Sequence, residues 1–168
     1  MTAPTKAPPA NRPRRQSESE SKGEPLRLVI DANVFVAAVL SPRGPPGRLL
    51  RLLAETPPPY RLFLSQEMIA EISEVLDRPK IRRRLPSGFD AQQWLVEMAA
   101  LSDVIDVPDS PRVCDDPDDD KNLGTALHGM AEYLVTGDDD LLRLRTHEGI
   151  SIITPAQCLQ VLQGHQGE

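Results

Sequence analysis

Leu26-Arg-Leu-Val-Ile-Asp-Ala-Asn-Val-Phe-Val-Ala-Ala-Val-Leu40 decides the fold. Its first five residues form a short apolar run suited to a buried strand, because a parallel strand covered on both faces shows no alternation. From Phe35 to Leu40 the chain has helical character. The stretch therefore reads as a strand feeding a helix, with Asp31 at the junction. In an open α/β sheet the carboxyl ends of the strands form the crevice where ligands bind.

Two more acids occupy comparable places. Asp138 follows the apolar run Leu134 to Thr136, and Asp119 lies in the cluster Asp115 to Asp120, ahead of a helical segment. A parallel sheet carries all three to one edge. Two carboxylates about 4 Å apart repel by roughly 4 kcal/mol at an effective dielectric near 20. Buried like charges are costly without a counter-ion, so the cluster asks for a divalent metal. The first reading is metal-dependent phosphate chemistry.

The rest of the chain supplies the alternation that such a sheet needs. Ser41 to Gly47 is a Pro/Gly-rich break, and Arg48 to Ala54 resumes a helix that Pro57 to Pro59 ends. Tyr60 to Leu64 reads as a strand, with Ser65 as N-cap of a helix from Gln66 to Leu76. Met68, Ile69, Ile72, Val75 and Leu76 give that helix its apolar face, leaving Glu67, Glu71 and Glu74 on the other sides. Pro79 breaks the helix ahead of the basic run Lys80 to Arg84. Asp90 caps a further helix containing Trp94, Leu95, Met98 and Leu101. Then come a strand at Val104 to Val107, a helix from about Asp119 to Met130 and a strand at Tyr133 to Val135. A short helix at Asp139 to Leu144, a strand at Ser151 to Ile153 and a closing helix at Pro155 to Leu162 complete the order. This predicts an α/β fold, a three-layer α/β/α sandwich around a central parallel sheet of about five strands.

The chain has 168 residues, of which 39% are hydrophobic, and a mean hydropathy of −0.35, which fit one ordinary domain. Residues 1–24 are rich in Pro, Ser and Arg with little to bury, and are expected to be a disordered tail. The domain is expected over 25–163 and a C-terminal tail over 164–168. A net charge of −6 and a sequence pI of about 5.1 do not suit a general polyanion binder. The acid is concentrated between Asp109 and Asp120 and at Asp138 to Asp140, so a substrate could still meet neutral or basic surface elsewhere. Cys114 and Cys158 lack zinc spacing and suit two thiols in a reducing cytosol. His128, His147 and His165 are scattered without ligand spacing. No apolar run reaches the roughly 20 residues of a membrane span, and the N-terminus lacks the apolar core of a signal peptide, so a cytoplasmic protein is expected.

Four motifs stand in a specific order: Val29-Ile-Asp-Ala-Asn-Val34; Ser65-x5-Glu71-Ile-x-Glu-Val-Leu76 with Arg78-Pro-Lys80; Asp116-Pro-Asp-Asp-Asp-Lys121; and Leu134-Val-Thr-Gly-Asp-Asp-Asp-Leu-Leu142. In order and spacing they resemble PIN-domain proteins, and more narrowly the bacterial PIN group described as toxins of toxin–antitoxin systems. The resemblance runs from Leu26 to Leu162. It implies a ribonuclease that uses Mg²⁺ or Mn²⁺, an RNA substrate and a separate antitoxin protein as partners, and it leaves a homodimer open. Carried onto this chain, it places the metal-binding and catalytic acids at Asp31, Glu71, Asp119 and Asp138, with Asp116 and Asp120 as substitutes at the third position. Asn33 and Thr136 match supporting polar positions, and Asp140 either caps its helix or joins the outer shell. The chain departs from the pattern at Asp115, where relatives often carry Arg, and at Asn122, where they commonly carry an aromatic or apolar residue.

The residue types suit the chemistry independently. Hard cations prefer oxygen ligands, Mg²⁺ commonly uses one or two direct carboxylates, and no histidine is needed as a base. Each acid has a plainer alternative: Asp31, Asp119 and Asp138 could be helix N-caps, and Glu71 an exposed helix acid. Asp116-x-Asp-x-Asp120 is similar to the start of an EF-hand loop, but Lys121 stands where that loop needs Gly. Arg78, Lys80, Arg82, Arg83 and Arg84 are either RNA phosphate contacts or a solvated face. Trp94 reads as core. Two competing functions are a non-catalytic PIN-like module that binds RNA or protein, and a haloacid-dehalogenase-like phosphatase. The phosphatase needs a second Asp where this chain has Asn33.

Overall fold

The computed structural model describes residues 24–55 and 60–166. Apart from Glu24, the tail expected over 1–24 lies outside the described residues, as do Pro57 to Pro59. The first strand, β1 (Leu26–Ile30), leads into α1 (Ala32–Leu40) and α2 (Pro45–Glu55). Then come β2 (Tyr60–Ser65), α3 (Gln66–Asp77), the short α4 (Pro79–Arg82), α5 (Ala91–Ala100) and β3 (Asp103–Ile105). The second half holds α6 (Pro117–His128), β4 (Tyr133–Val135), α7 (Asp139–Leu144), β5 (Thr146–His147), β6 (Ile150–Ile153) and α8 (Pro155–Gln166).

The strands stand in the order β3-β2-β1-β4-β6-β5. All pairings are parallel except that of β5 with β6. The chain builds outward from β1 through β2 to β3, then returns to place β4 on the other side of β1. The order of strand addition thus reverses between β1 and β4, and such a switch point opens a crevice at the carboxyl ends of its two strands. Leu28, Val29 and Ile30 on the central strand have no exposed surface. The helix α6 packs across β1, β2 and β4, whereas α1, α2, α3, α5 and α8 pack on one another. Right-handed crossovers in opposite directions put these two groups on opposite faces, which gives the expected sandwich.

Several boundaries differ from the sequence reading. The sheet has a sixth strand, because β5 and β6 form an antiparallel hairpin through Glu148 (φ 46°) and Gly149 (φ 83°). Two consecutive left-handed residues are what a tight two-residue hairpin turn demands. Within the expected break, α2 already starts at Pro45, since proline is well suited to a first helical turn. Gly47 is required there: a Cβ would lie 2.3 Å from the carbonyl oxygen of Pro42. The strand β3 stops at Ile105, short of Val107.

At its C-terminus, α6 ends at His128 rather than Met130. Ala131 N–H donates to Ala126 O and Met130 N–H to Leu127 O, the paired bonds of a Schellman cap. Met130 (φ 49°) occupies the left-handed position usually given to glycine. Gly129 instead packs against Phe63. The closing helix α8 runs past Leu162 to Gln166, so it takes in part of the expected C-terminal tail.

Candidate metal centre

Asp31 sits where β1 gives way to α1, facing the end of β4. Its backbone N–H donates to Val135 O at 2.9 Å, which fixes the residue at the switch point. Its side chain is 2% exposed. One carboxylate oxygen, Oδ1, accepts from Asn33 N–H at 3.1 Å and caps α1. The other, Oδ2, accepts from the Thr136 hydroxyl at 2.8 Å. Thr136, itself fully buried, also accepts from Asp138 N–H at 3.0 Å, so one hydroxyl ties two acids of the site together. Burial pushes the Asp31 carboxyl above the usual aspartate range. Hydrogen bonds from Thr136, Asn33 and Asn122 pull it back, and the charge of Asp138 raises it further.

The tightest group is Asp119, Asp138 and Asp140, each offering a carboxylate oxygen within 4.8 Å of the other two. Asp119 lies in the first turn of α6 and is 4% exposed. Burial, and then the charges of Asp138, Asp116, Asp31 and Asp140, push its carboxyl up to about 7. Asp138 is the N-cap of α7, with Oδ1 accepting from Asp140 N–H at 2.8 Å. Asp140 is exposed and paired with Arg143 at 3.1 Å. The carboxyl of Glu71, half-buried on α3, is raised by burial and then by the charges of Asp118 and Asp31. Asp31 and Glu71 stand outside the tight trio; Asp31 feels the charge of Asp138, and Glu71 that of Asp31.

Such a donor set fits a hard divalent cation. The ligands are all carboxylate oxygens, and the carboxyl of Asp119, nearly fully buried, is raised first by that burial and then by the charges of the neighbouring acids. The model of the PIN domain matches residues 27–140. The chain belongs to the PIN domain family. It is also 32% identical over 120 residues to an uncharacterized protein of Methanocaldococcus jannaschii, covering 71% of this chain and 76% of that protein. PIN domains are nuclease-type domains that typically bind divalent metals, and this PIN domain presents an acidic cluster.

Within the PIN domain, the acids of the 115–120 run go to different tasks. Asp116 is exposed and caps α6 through Asp118 N–H at 2.9 Å. Asp120 is buried and stands outside the trio, with its Oδ1 accepting from Val113 N–H at 2.9 Å and Cys114 N–H at 2.8 Å. Of the two alternatives for the third acid, Asp116 thus serves the helix cap and Asp120 clasps the preceding loop, each through its Oδ1. Asp140, given a supporting place by the sequence, completes the trio as its exposed member. The side chain of Asn33 is exposed, and only its backbone reaches Asp31.

The basic run stands elsewhere. It follows the end of α3 remote from Ser65, and α3 climbs about 1.5 Å per residue away from the sheet edge that carries Asp31. Arg78 and Arg82 make exposed pairs with Glu74 at 3.6 Å and Asp77 at 3.9 Å. Trp94 is half-buried, edge-on to Phe35 with centroids 6.2 Å apart, and belongs to the core packing. Asn122 is the residue whose place the sequence did not reveal. It is 4% exposed and hydrogen-bonded to Asp31, and its Oδ1 has no protein partner. The unusual amide at a commonly apolar position was the signal. Among the described residues, no helix is long and apolar enough to cross a membrane, and the thiols of Cys114 and Cys158 are free.

Proposed function

We propose that this PIN domain is a Mg²⁺- or Mn²⁺-dependent endoribonuclease that hydrolyses RNA phosphodiester bonds. In this reading it is the toxin of a cytoplasmic toxin–antitoxin pair, held inactive by a separate antitoxin protein. The nuclease reading is carried by one observation: Asp119, Asp138 and Asp140 converge within 4.8 Å beside the buried Asp31. The toxin role rests on resemblance alone, that of the four motifs to the bacterial PIN group described as toxins.

Asp119 and Asp138 would hold the cation, with Asp31 and Asp140 beside them and Glu71 at the border. A divalent cation there supplies charge neutralisation at the scissile phosphate and makes water acidic enough to act near neutral pH. Thr136 keeps Asp31 and the Asp138 backbone in one arrangement, so the negative field is built before substrate arrives. Near neutrality Asp119 can carry a proton in the metal-free protein, a proton it would give up in order to hold a cation. The free thiols suit a reducing compartment.

The test uses wild type and Asp31→Asn, purified identically, on a mixed RNA pool with Mn²⁺ or with EDTA. Wild type should cleave only with metal, and the variant should remain folded by circular dichroism without cleaving. Equal activity of the two proteins, or cleavage that persists in EDTA, would sink the nuclease reading. Induced expression in a bacterial host addresses the toxin role: growth should stop with wild type and continue with Asp31→Asn. Unimpaired growth with soluble, cleavage-competent wild type would reject it.

A further inference from the structure

A cavity of about 620 Å³ opens next to the acids. Its walls are mostly apolar: Val34 and Ala37 of α1, Pro45 and Pro46 of α2, and Pro155 and Ala156 of α8. We propose that this cleft is a subsite for a nucleobase of single-stranded RNA, seating the base while its phosphate lies at the carboxylates. The proposal rests on the nuclease reading and adds to it the place where a base of the substrate is held.

Continuity carries the first part of the argument. Asp138 is a wall of the cleft and a member of the carboxylate trio, so a group in the cleft is directly adjacent to the cation site. The volume lies within the roughly 300–1,000 Å³ of pockets that enclose small ligands. Three proline rings offer rigid apolar faces that lose little conformational freedom when a flat base is laid against them. Asn33 stands on the rim with an exposed amide that makes no side-chain hydrogen bond among the described residues. An amide carries both donors and an acceptor, which is what a base edge requires.

Charge favours an anionic ligand on this side. The helices α2 and α8, which close the cleft, have no acidic residue in their first turns. By contrast, α6 has Asp118, Asp119 and Asp120 there, and α7 has Asp139 and Asp140. Arg43 and Arg48 flank Pro45-Pro46 in sequence, are exposed and form no ion pair among the described residues. An RNA strand in the cleft thus meets an apolar wall, whose Pro45 lies two and three residues from Arg43 and Arg48 in sequence, on one side and the acids on the other. Bases in a duplex are stacked and paired, so only an unpaired strand can deliver one into the cleft.

The test is fluorescence anisotropy of the full chain in Ca²⁺. The probes are a short fluorescein-labelled single-stranded RNA and a ribose-phosphate strand of equal length without bases. Wild type should bind the RNA about tenfold more tightly than the baseless strand. Ala156 is exposed, so Ala156→Trp can fill the cleft without displacing core, and it should weaken only the RNA, bringing it level with the baseless strand. Its melting temperature and Mn²⁺ affinity should match wild type. If Ala156→Trp does not fold, Ala156→Leu takes its place. Equal binding of the two strands by wild type, no binding of either, or unchanged RNA affinity in the variant would overturn the proposal and leave the cleft to a protein segment. Equal weakening of both strands in the variant would overturn it too, by showing obstruction of the backbone path. Base-selective binding without Mn²⁺-dependent cleavage would sink the nuclease reading alone, and cleavage without base selectivity would sink the subsite alone.

Discussion

Thr136 donates its hydroxyl to the Asp31 carboxylate at 2.8 Å, across 105 positions of sequence. The bond joins the ends of β1 and β4 at the point where the order of strand addition reverses, and the same oxygen accepts from Asp138 N–H. Thr136→Val keeps the shape, removes both interactions and leaves a buried carboxylate less supported. Unfolding free energy by denaturant titration in EDTA should fall by about 1–3 kcal/mol, Mn²⁺ affinity should weaken, and Thr136→Ser should restore both. A valine variant indistinguishable from wild type in both measurements would contradict this role.

Asp31→Asn should behave differently with and without metal. The substitution removes one charge from a crowded set of acids, relieving repulsion from Asp138 while keeping a similar shape. Metal-free stability should be unchanged or higher, and the stabilisation that Mn²⁺ gives the wild type should shrink. A clear loss of metal-free stability would mean that the carboxylate serves the fold more than the site.

Stability of the metal-free protein should fall as pH rises from about 4 to about 7. Asp119 in the folded chain keeps its proton up to about 7, whereas an unfolded aspartate loses it near 4. The folded state therefore binds more protons in that window. Its advantage is fully present below the unfolded value and is lost as pH passes through the folded one. Asp31 and Glu71 are shifted in the same direction and add to the slope. The size is on the order of a few kcal/mol, at about 1.4 kcal/mol per pH unit. Denaturant midpoints in EDTA across this range should show the decline, and Asp119→Asn should flatten it. A wild-type slope no steeper than that of the variant would count against a raised Asp119.

Asp119 and Asp120 are neighbours with separable duties. Asp120→Ala strips two backbone N–H groups, those of Val113 and Cys114, of their acceptor, and should cost roughly 2 kcal/mol with faster amide exchange at both positions. Its Mn²⁺ affinity should stay near wild type. Asp119→Asn should do the reverse, losing Mn²⁺ affinity while the loop stays protected. Calorimetric metal titration and hydrogen exchange on the two variants decide between them, and a swapped pattern would move the third acid to Asp120.

Much of the layout is legible in local sequence. The apolar run Leu26 to Ile30, the caps Ser65, Asp90 and Asp138 and the periodic face of Met68, Ile72 and Leu76 each act over a few residues, so pattern suffices to place their elements. The hairpin strand β5 was not legible. Its turn carries Glu148 where Asn or Asp would have signalled a left-handed residue, and the strand is too short to show alternation. The end of α6 was hidden for a related reason, since Met130 takes a backbone conformation that its residue type does not announce.

By itself, then, the sequence determined the βα alternation, the position of Asp31 at a strand end and the presence of more acids than a neutral fold needs, because propensity, capping and hydrophobic period are short-range. Only the tertiary structure decided which acids of the 115–120 run face one another. The rotation of α6 against the sheet turns Asp119 toward Asp138 and Asp140, and commits Asp120 to the loop at Val113 and Cys114. It also joined Thr136 to Asp31 and set an apolar cleft against the carboxylates. Those contacts are made between segments far apart in the chain, and depend on strand order and helix rotation that no local window of residues contains.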